Sequence, residues 1–138
     1  MAKQSVILIF DVGKTNKKIL LFDDNYRLVF EDSIRLNEIT DEDGFPCEDI
    51  DALTDWTRIS FERMMMDERF DIRAVNFSAY GASFVYLDDN DVPILPLYNY
   101  LKPYPENLKR KFYVTILGFQ CILRFVLKLP GYFGAFFV

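Results

Sequence analysis

Apolar residues along the first third of the chain come in short runs separated by polar turns. The stretch VILIFDVGKTNKKILLF, residues 6–22, sets the pattern. Residues 6–10 are β-branched and large apolar, as in a strand covered on both faces. After the polar bend DVGKTNKK, residues 19–22 predict a second strand. Asp23, Asp24 and Asn25 supply turn chemistry, and YRLVFEDSIRL then alternates like a third strand with one drier face. The order strand, turn, strand, turn, strand is a β-meander.

The next segment, NEITDEDGFPCEDID, reads as a polar loop. Its acids lack the ligand spacing and closing glutamate of a calcium-binding EF-hand, so a solvated loop is the expectation. Asp51 is expected to cap a helix running to about Met66. At helical spacing Asp51, Asp55, Arg58 and Glu62 share one face, and Ala52, Leu53, Trp56, Ile59 and Met66 lie largely opposite. The run Met64, Met65 and Met66 is adaptable packing material. Residues 74–78 predict a fourth strand, followed by a hairpin turning between Asp88 and Asp91, and ENLKRKF begins another helix. A helix between strands after an opening meander indicates an α/β domain with a mixed sheet.

Composition narrows the chemistry. The 138 residues suit one domain or part of a larger one, and 51% hydrophobic with 27% charged residues is ordinary for a globular chain. Histidine is absent, which removes Ser-His-Asp and Cys-His nucleophile systems and most zinc sites. A net charge of -5 argues against a nucleic-acid partner, since neutralising phosphates needs clustered Lys and Arg. Cys47 and Cys121 match no metal or redox spacing and read as reduced thiols. The opening apolar run is too short for a signal peptide, so a cytoplasmic location is expected.

Charge is unevenly placed. All 21 acidic side chains and 14 of the 16 basic ones fall in residues 1–113. Residues 114–138, VTILGFQCILRFVLKLPGYFGAFFV, contain no acid, the two bases Arg124 and Lys128, and five phenylalanines. Three readings of this tail stand side by side. A membrane segment of roughly 20 residues would take in Arg124 and Lys128, at about 2.5–3.5 kcal/mol each at mid-bilayer. A native strand and helix would lack the expected acids and periodicity. An out-of-frame extension after a frameshift near Phe112 accounts together for the lost acids, the phenylalanines and an early stop. On that reading residues 1–113 form a partial domain, and residues 114–138 pack poorly, with Phe133, Phe136 and Phe137 partly exposed.

The bend DVGKTNKK has chemistry of its own. Gly13 permits a positive φ and a close backbone approach to a ligand, and successive N–H groups in such a turn form an anion nest. Thr15 adds a hydroxyl. Side-chain alternation lets only one of Lys17 and Lys18 face the ligand side. Asp11 would repel a bare phosphate but fits beside one if it holds Mg²⁺ through water. The alternative is a tight Asp-x-Gly turn with solvated lysines. A Walker P-loop is excluded, because its glycine and lysine spacing is absent.

The bend resembles the first phosphate motif, D-x-G-x-[ST]-x-x-[KR], of the sugar-kinase, heat-shock-ATPase and actin superfamily, filled by Asp11, Gly13, Thr15 and Lys18. The order of features is similar to that of the FGGY carbohydrate kinases, the rhamnulokinase-like branch most of all. GFPCEDIDAL resembles the stretch opening the family's first helix, FSAYGASFVYLD its small-aromatic-glycine step, and LPLYNYLKP its sugar-contacting loop. The resemblance covers residues 4 to about 113. It implies the N-terminal part of an actin-like, ribonuclease H-like ATPase domain, with ATP and Mg²⁺ as cofactors and a ketose or deoxyketose as the sugar partner. It also implies nucleotide phosphate and Mg²⁺ contacts at Asp11, Gly13, Lys14, Thr15, Asn16 and Lys18, with Asp11 on the metal, and sugar contacts at Tyr80, Gly81, Ser83, Asn99 and Lys102. Lys14 stands where many relatives have Thr, and Tyr80 where many have Gln or Trp. The family's catalytic aspartate, second phosphate motif and adenosine pocket lie beyond the matched stretch, so a truncated, inactive kinase is the expectation. A stand-alone nucleotide- or protein-binding module, or a small membrane-anchored protein, are the alternatives.

Overall fold

The computed structural model describes residues 3–115. They form β1 (Gln4–Val12), β2 (Lys17–Asp23), β3 (Leu28–Ile34), β4 (Glu38–Thr40), β5 (Pro46–Glu48), α1 (Ile50–Met66) and β6 (Phe70–Ala79). The main sheet has the order β3-β2-β1-β6, with β1 antiparallel to β2, β2 antiparallel to β3 and β1 parallel to β6. This is the expected meander plus a crossover strand, a mixed α/β arrangement. The chain divides into two compact units, Met1–Lys102 and Pro103–Val138. In the second, residues 106–115 are helical, as ENLKRKF foreshadows. The expectations for Phe133, Phe136, Phe137 and the rest of the apolar tail fall on residues 116–138, outside the described residues. Among the described residues no helix is long and apolar enough to cross a membrane.

Strand alternation places the core. Val6, Leu8 and Phe10 of β1 and Ile19 and Leu21 of β2 are buried on one sheet face, joined by Met64 of α1 and Phe70 at the start of β6. Trp56 meets Phe10 edge to face at 5.7 Å, and Phe77 stacks on Phe10 at 5.1 Å. Arg63 of α1 reaches across to Asp32 of β3 at 2.5 Å. The opposite face carries Ile7, Ile9 and Leu20, which are only half-buried, so β1 is fully covered on one face rather than both.

Four sequence expectations shift. The helix N-cap is Asp49, not Asp51: Asp49 has extended backbone and its carboxylate accepts from the Ala52 N–H at 2.9 Å. Asp51 instead lies in the first turn, where a negative charge suits the helix dipole. The buried face of α1 runs through Trp56, Ser60 and Met64, while Ile59 is 54% and Met66 78% exposed. The third shift concerns the polar loop, which contains the short antiparallel ribbon β4–β5, closed at Gly44 with φ 75°. Asp41 holds that turn by accepting from the Asp43 and Phe45 N–H groups. The fourth strand also starts earlier than expected, at Phe70. The 88–91 turn is present, with Asp88 accepting from Asn90 and Val92 and one bridge between Leu87 and Pro93.

The ribbon is joined to the sheet by a buried ion pair. Lys17, at the start of β2, is 1% exposed, and its ammonium lies 2.5 Å from the carboxylate of Glu48, which is 4% exposed. Moving both charges out of water is costly, and close pairing with further hydrogen bonds is what offsets it. Lys17 Nζ also donates to the Lys14 carbonyl at 3.2 Å, and Glu48 Oε2 accepts from the Tyr80 hydroxyl at 3.3 Å.

Two stability predictions follow from this packing. Met64→Ala should cost about 2–5 kcal/mol in chemical denaturation, as for other large-to-small core changes, whereas Ile59→Ala should stay within about 0.5 kcal/mol. Equal losses would mean that α1 packs by the face its sequence first suggests. Lys17→Met, which strands the Glu48 carboxylate, should destabilise by about 3–5 kcal/mol. The neighbouring change Lys18→Met should leave the midpoint where it is, because Lys18 and its partner are both open to solvent.

Candidate functional site

The β1–β2 hairpin carries the site. Asp11 is the penultimate residue of β1 and is the register partner of Lys18 in β2. Directly paired residues share a face, so Asp11 and Lys18 stand together on one side of the sheet while Lys17 goes to the other. The alternation argument thus sorts the two lysines: Lys18 beside the acid, Lys17 into the buried pair with Glu48. Among the described residues the Asp11 carboxylate, half-buried at the strand end, takes part in no ion pair or hydrogen bond.

Gly13 occupies the turn, though not by way of a left-handed backbone: Gly44 has positive φ and Gly13 does not. The requirement at Gly13 is space. A Cβ there would meet the Asn16 carbonyl oxygen at 2.8 Å, closer than real side chains come, so the tight fold of residues 13–16 depends on hydrogen at this position. Thr15 and Asn16 are exposed at the tip.

Each lysine of the turn has a glutamate partner. Lys14 pairs with Glu38 of β4, Lys17 with Glu48 of β5, and Lys18 with Glu31 of β3 at 2.7 Å. The hydrogen bond that Lys14 donates to Glu38, and then the Glu38 charge, raise the Lys14 ammonium above the usual lysine value, and Glu31 does the same for Lys18. Lys14 and Lys18 therefore stay protonated throughout the physiological range.

Beside the turn lies a polar cavity of about 480 Å³. Lys14 and Thr15 of the turn, Arg35 and Asn37 of the β3–β4 connection, Glu48, and Asn99 all line it. Of the residues expected at the site, Lys14, Thr15 and Asn99 thus meet around one space. Tyr80 is tied in through Glu48, and burial first, then the Glu48 charge, push its phenol above the ordinary tyrosine value. Ser83 donates to the Tyr98 carbonyl at 3.0 Å, and Gly81 is exposed with open space where a Cβ would sit. Lys102 is directed away to the ribbon tip, bonded to Asp41 at 2.6 Å and Asp43 at 2.7 Å. Those hydrogen bonds raise Lys102 well above the usual lysine range and lower Asp41. Arg35, Asn37, Glu38 and Glu48 are absent from the sequence-derived set. Alternation allowed only one of Lys17 and Lys18 on the ligand side, and no spacing marked Glu48 as a partner for the other. A larger groove of about 710 Å³ between α1 and strands β1 and β6 is apolar except for Thr54, Thr57 and Arg58, and contains none of these groups.

Chemically, the hairpin presents a close-packed glycine turn, a hydroxyl, and an acid with a cation beside it. Such a turn can receive a phosphate on backbone N–H groups. Among the described residues no cluster of three or more acids or cysteines could hold a metal by itself. Asp11 suits a cation that keeps most of its waters and shares its remaining ligands with a phosphate, which is the habit of Mg²⁺.

No protein-family profile and no curated protein matches the sequence. Solved structures similar to it include two bacterial sugar kinases. The gluconate kinase of Lactobacillus acidophilus matches with a TM-score of 0.55 and 25% identity over 68% of this chain and 19% of its own. The ligand-bound xylulose kinase of Lactobacillus acidophilus matches with a TM-score of 0.55 and 26% identity over 67% of this chain and 19% of its own. Both are sugar kinases of the FGGY type, and this chain spans about a fifth of their length. The mixed α/β sheet is consistent with the N-terminal domain of sugar kinases with the actin-like ATPase fold.

Proposed function

We propose that the chain is the N-terminal portion of an ATP-dependent sugar kinase of the FGGY type, rhamnulokinase-like in its sequence features, whose sugar is a ketose or deoxyketose. The observation that carries this reading is the β1–β2 hairpin, with Asp11 at the strand end opposite Lys18 and Gly13 where no side chain fits. The likeness to gluconate and xylulose kinases over two thirds of the chain supports it.

In this reading the N–H groups of residues 13–16 and the Thr15 hydroxyl receive a nucleotide phosphate, Lys14 and Asn16 flank it, and Lys18 adds positive charge beside Asp11. Asp11 would hold Mg²⁺ through water; a bound Mg²⁺ neutralises charge on the transferred phosphoryl group. Tyr80, Gly81, Ser83 and Asn99 belong to the sugar side, and Lys102 would join them only by leaving Asp41 and Asp43. Phosphoryl transfer rests on positioning and on charge stabilisation in a closed site. A chain spanning about a fifth of a kinase supplies only part of that cleft, and the aspartate expected to deprotonate the sugar hydroxyl lies beyond the matched stretch.

Two measurements test this. Titrating the ¹⁵N-labelled chain with Mg-ATP should shift the amides of residues 11–18 and leave those of α1 in place, and Asp11→Asn should abolish the Mg²⁺ dependence. Shifts spread over the whole chain, or none, would contradict the phosphate clamp. Incubated with Mg-ATP and rhamnulose, fuculose or xylulose, the chain should show no sugar phosphate above background. Turnover that disappears on Asp11→Ala would show that the part is sufficient for catalysis.

A further inference from the structure

Of the three lysine–glutamate pairs around the turn, two belong to one ribbon. Glu38 and Glu48 are register partners at the open end of β4–β5. Like charges directly opposite one another destabilise a strand pair, so this end of the ribbon is balanced only with Lys14 and Lys17 in place. The two pairs differ in their access to water. Lys14 and Glu38 are both partly exposed and can exchange partners with solvent, while Lys17 and Glu48 are buried.

The buried pair acts on the turn backbone. Lys17 Nζ, held by Glu48, also donates to the Lys14 carbonyl. A trans peptide sets its N–H opposite to its C=O, and the peptide carrying the Lys14 carbonyl also carries the Thr15 N–H. Drawing that carbonyl toward Lys17 therefore turns the Thr15 N–H away from it. The Lys17 side chain leaves β2 on the face opposite Lys18, and with the carbonyl held by Lys17 the N–H of the same peptide is directed away from the buried pair.

We propose that Glu48, acting through Lys17, is a positioning residue that fixes the peptide between Lys14 and Thr15 so that its N–H is presented to an incoming phosphate. This rests on the kinase reading of the hairpin. The same carboxylate accepts from Tyr80, at the end of β6 on the sugar side, so one buried group orders the phosphate turn and a substrate-side residue together. Glu48 needs no contact with either substrate to do so.

The test is the backbone order of the turn in the full ¹⁵N-labelled chain without nucleotide. In Glu48→Gln, the order parameters of residues 14–16 should fall from about 0.85 toward 0.6 or below, while those of residues 6–10 in β1 stay at their original values. A purely structural role would lower both sets together or neither. Because an unpaired buried lysine can prevent folding, the double variant Lys17→Met/Glu48→Met, which removes both charges, serves as the second arm and should show the same loosened turn on intact strands. A turn as rigid as the original in the double variant overturns the proposal, and so does loss of the fold in that variant, which would make the pair a core element. Mg-ATP added to the unmodified chain separates the two readings: absent amide shifts at residues 11–18 would remove the kinase reading, while the order parameters still decide what Glu48 does.

Discussion

A lysine and a glutamate with almost no exposure, 2.5 Å apart, hold the site's surroundings together. Lys17 belongs to the hairpin, Glu48 to the ribbon, and through its second oxygen Glu48 reaches Tyr80 at the end of β6. An apolar pair could fill the same volume with no desolvation cost. What an apolar pair lacks is direction: it could not draw the Lys14 carbonyl inward or orient the Tyr80 hydroxyl. The buried charges are therefore best understood as geometry imposed on the turn, with the core of Val6, Leu8, Phe10, Ile19 and Leu21 providing the rigid base.

The same arrangement explains why three lysines in eight residues do not make the hairpin an open cation patch. Each is matched by a glutamate from a separate strand, and Asp11 adds a further negative charge on the Lys18 side. A bare anion meets little net attraction there. A phosphate accompanied by a divalent cation is a better match, because the cation satisfies Asp11 while the backbone receives the phosphate oxygens.

Much of the fold was legible from period-two alternation and turn residues. The meander follows from the runs at residues 6–10 and 19–22 and the turn at Asp23, and the register that places Asp11 against Lys18 follows from the length of the bend. The ribbon β4–β5 was not legible: it is three residues per strand, mostly polar, and its stability comes from Asp41, Gly44 and the lysines outside it. Asp49 and Asp51 are both good caps by composition, and only the backbone conformation separates them. At the site, the motif gave Asp11, Gly13, Thr15 and Lys18, since those depend on local spacing. Lys17 with Glu48, 31 residues apart, depends on two elements meeting in space. Lys102 was expected among the sugar contacts from its place in the loop, and its direction is set instead by Asp41 and Asp43, some 60 residues earlier.

The central claim is that the Lys17–Glu48 pair is the buried link between hairpin and ribbon, beside the solvent-exposed pair of Lys14 and Glu38. A double-mutant cycle with Lys17→Met, Glu48→Gln and the combined variant, read by equilibrium denaturation, addresses it most directly. The account predicts that each single change is strongly destabilising and that the double is far less so than their sum, with a coupling on the order of 1–3 kcal/mol. Losses that simply add would contradict it, because they would mean the two side chains contribute independently and the ribbon is held by something else.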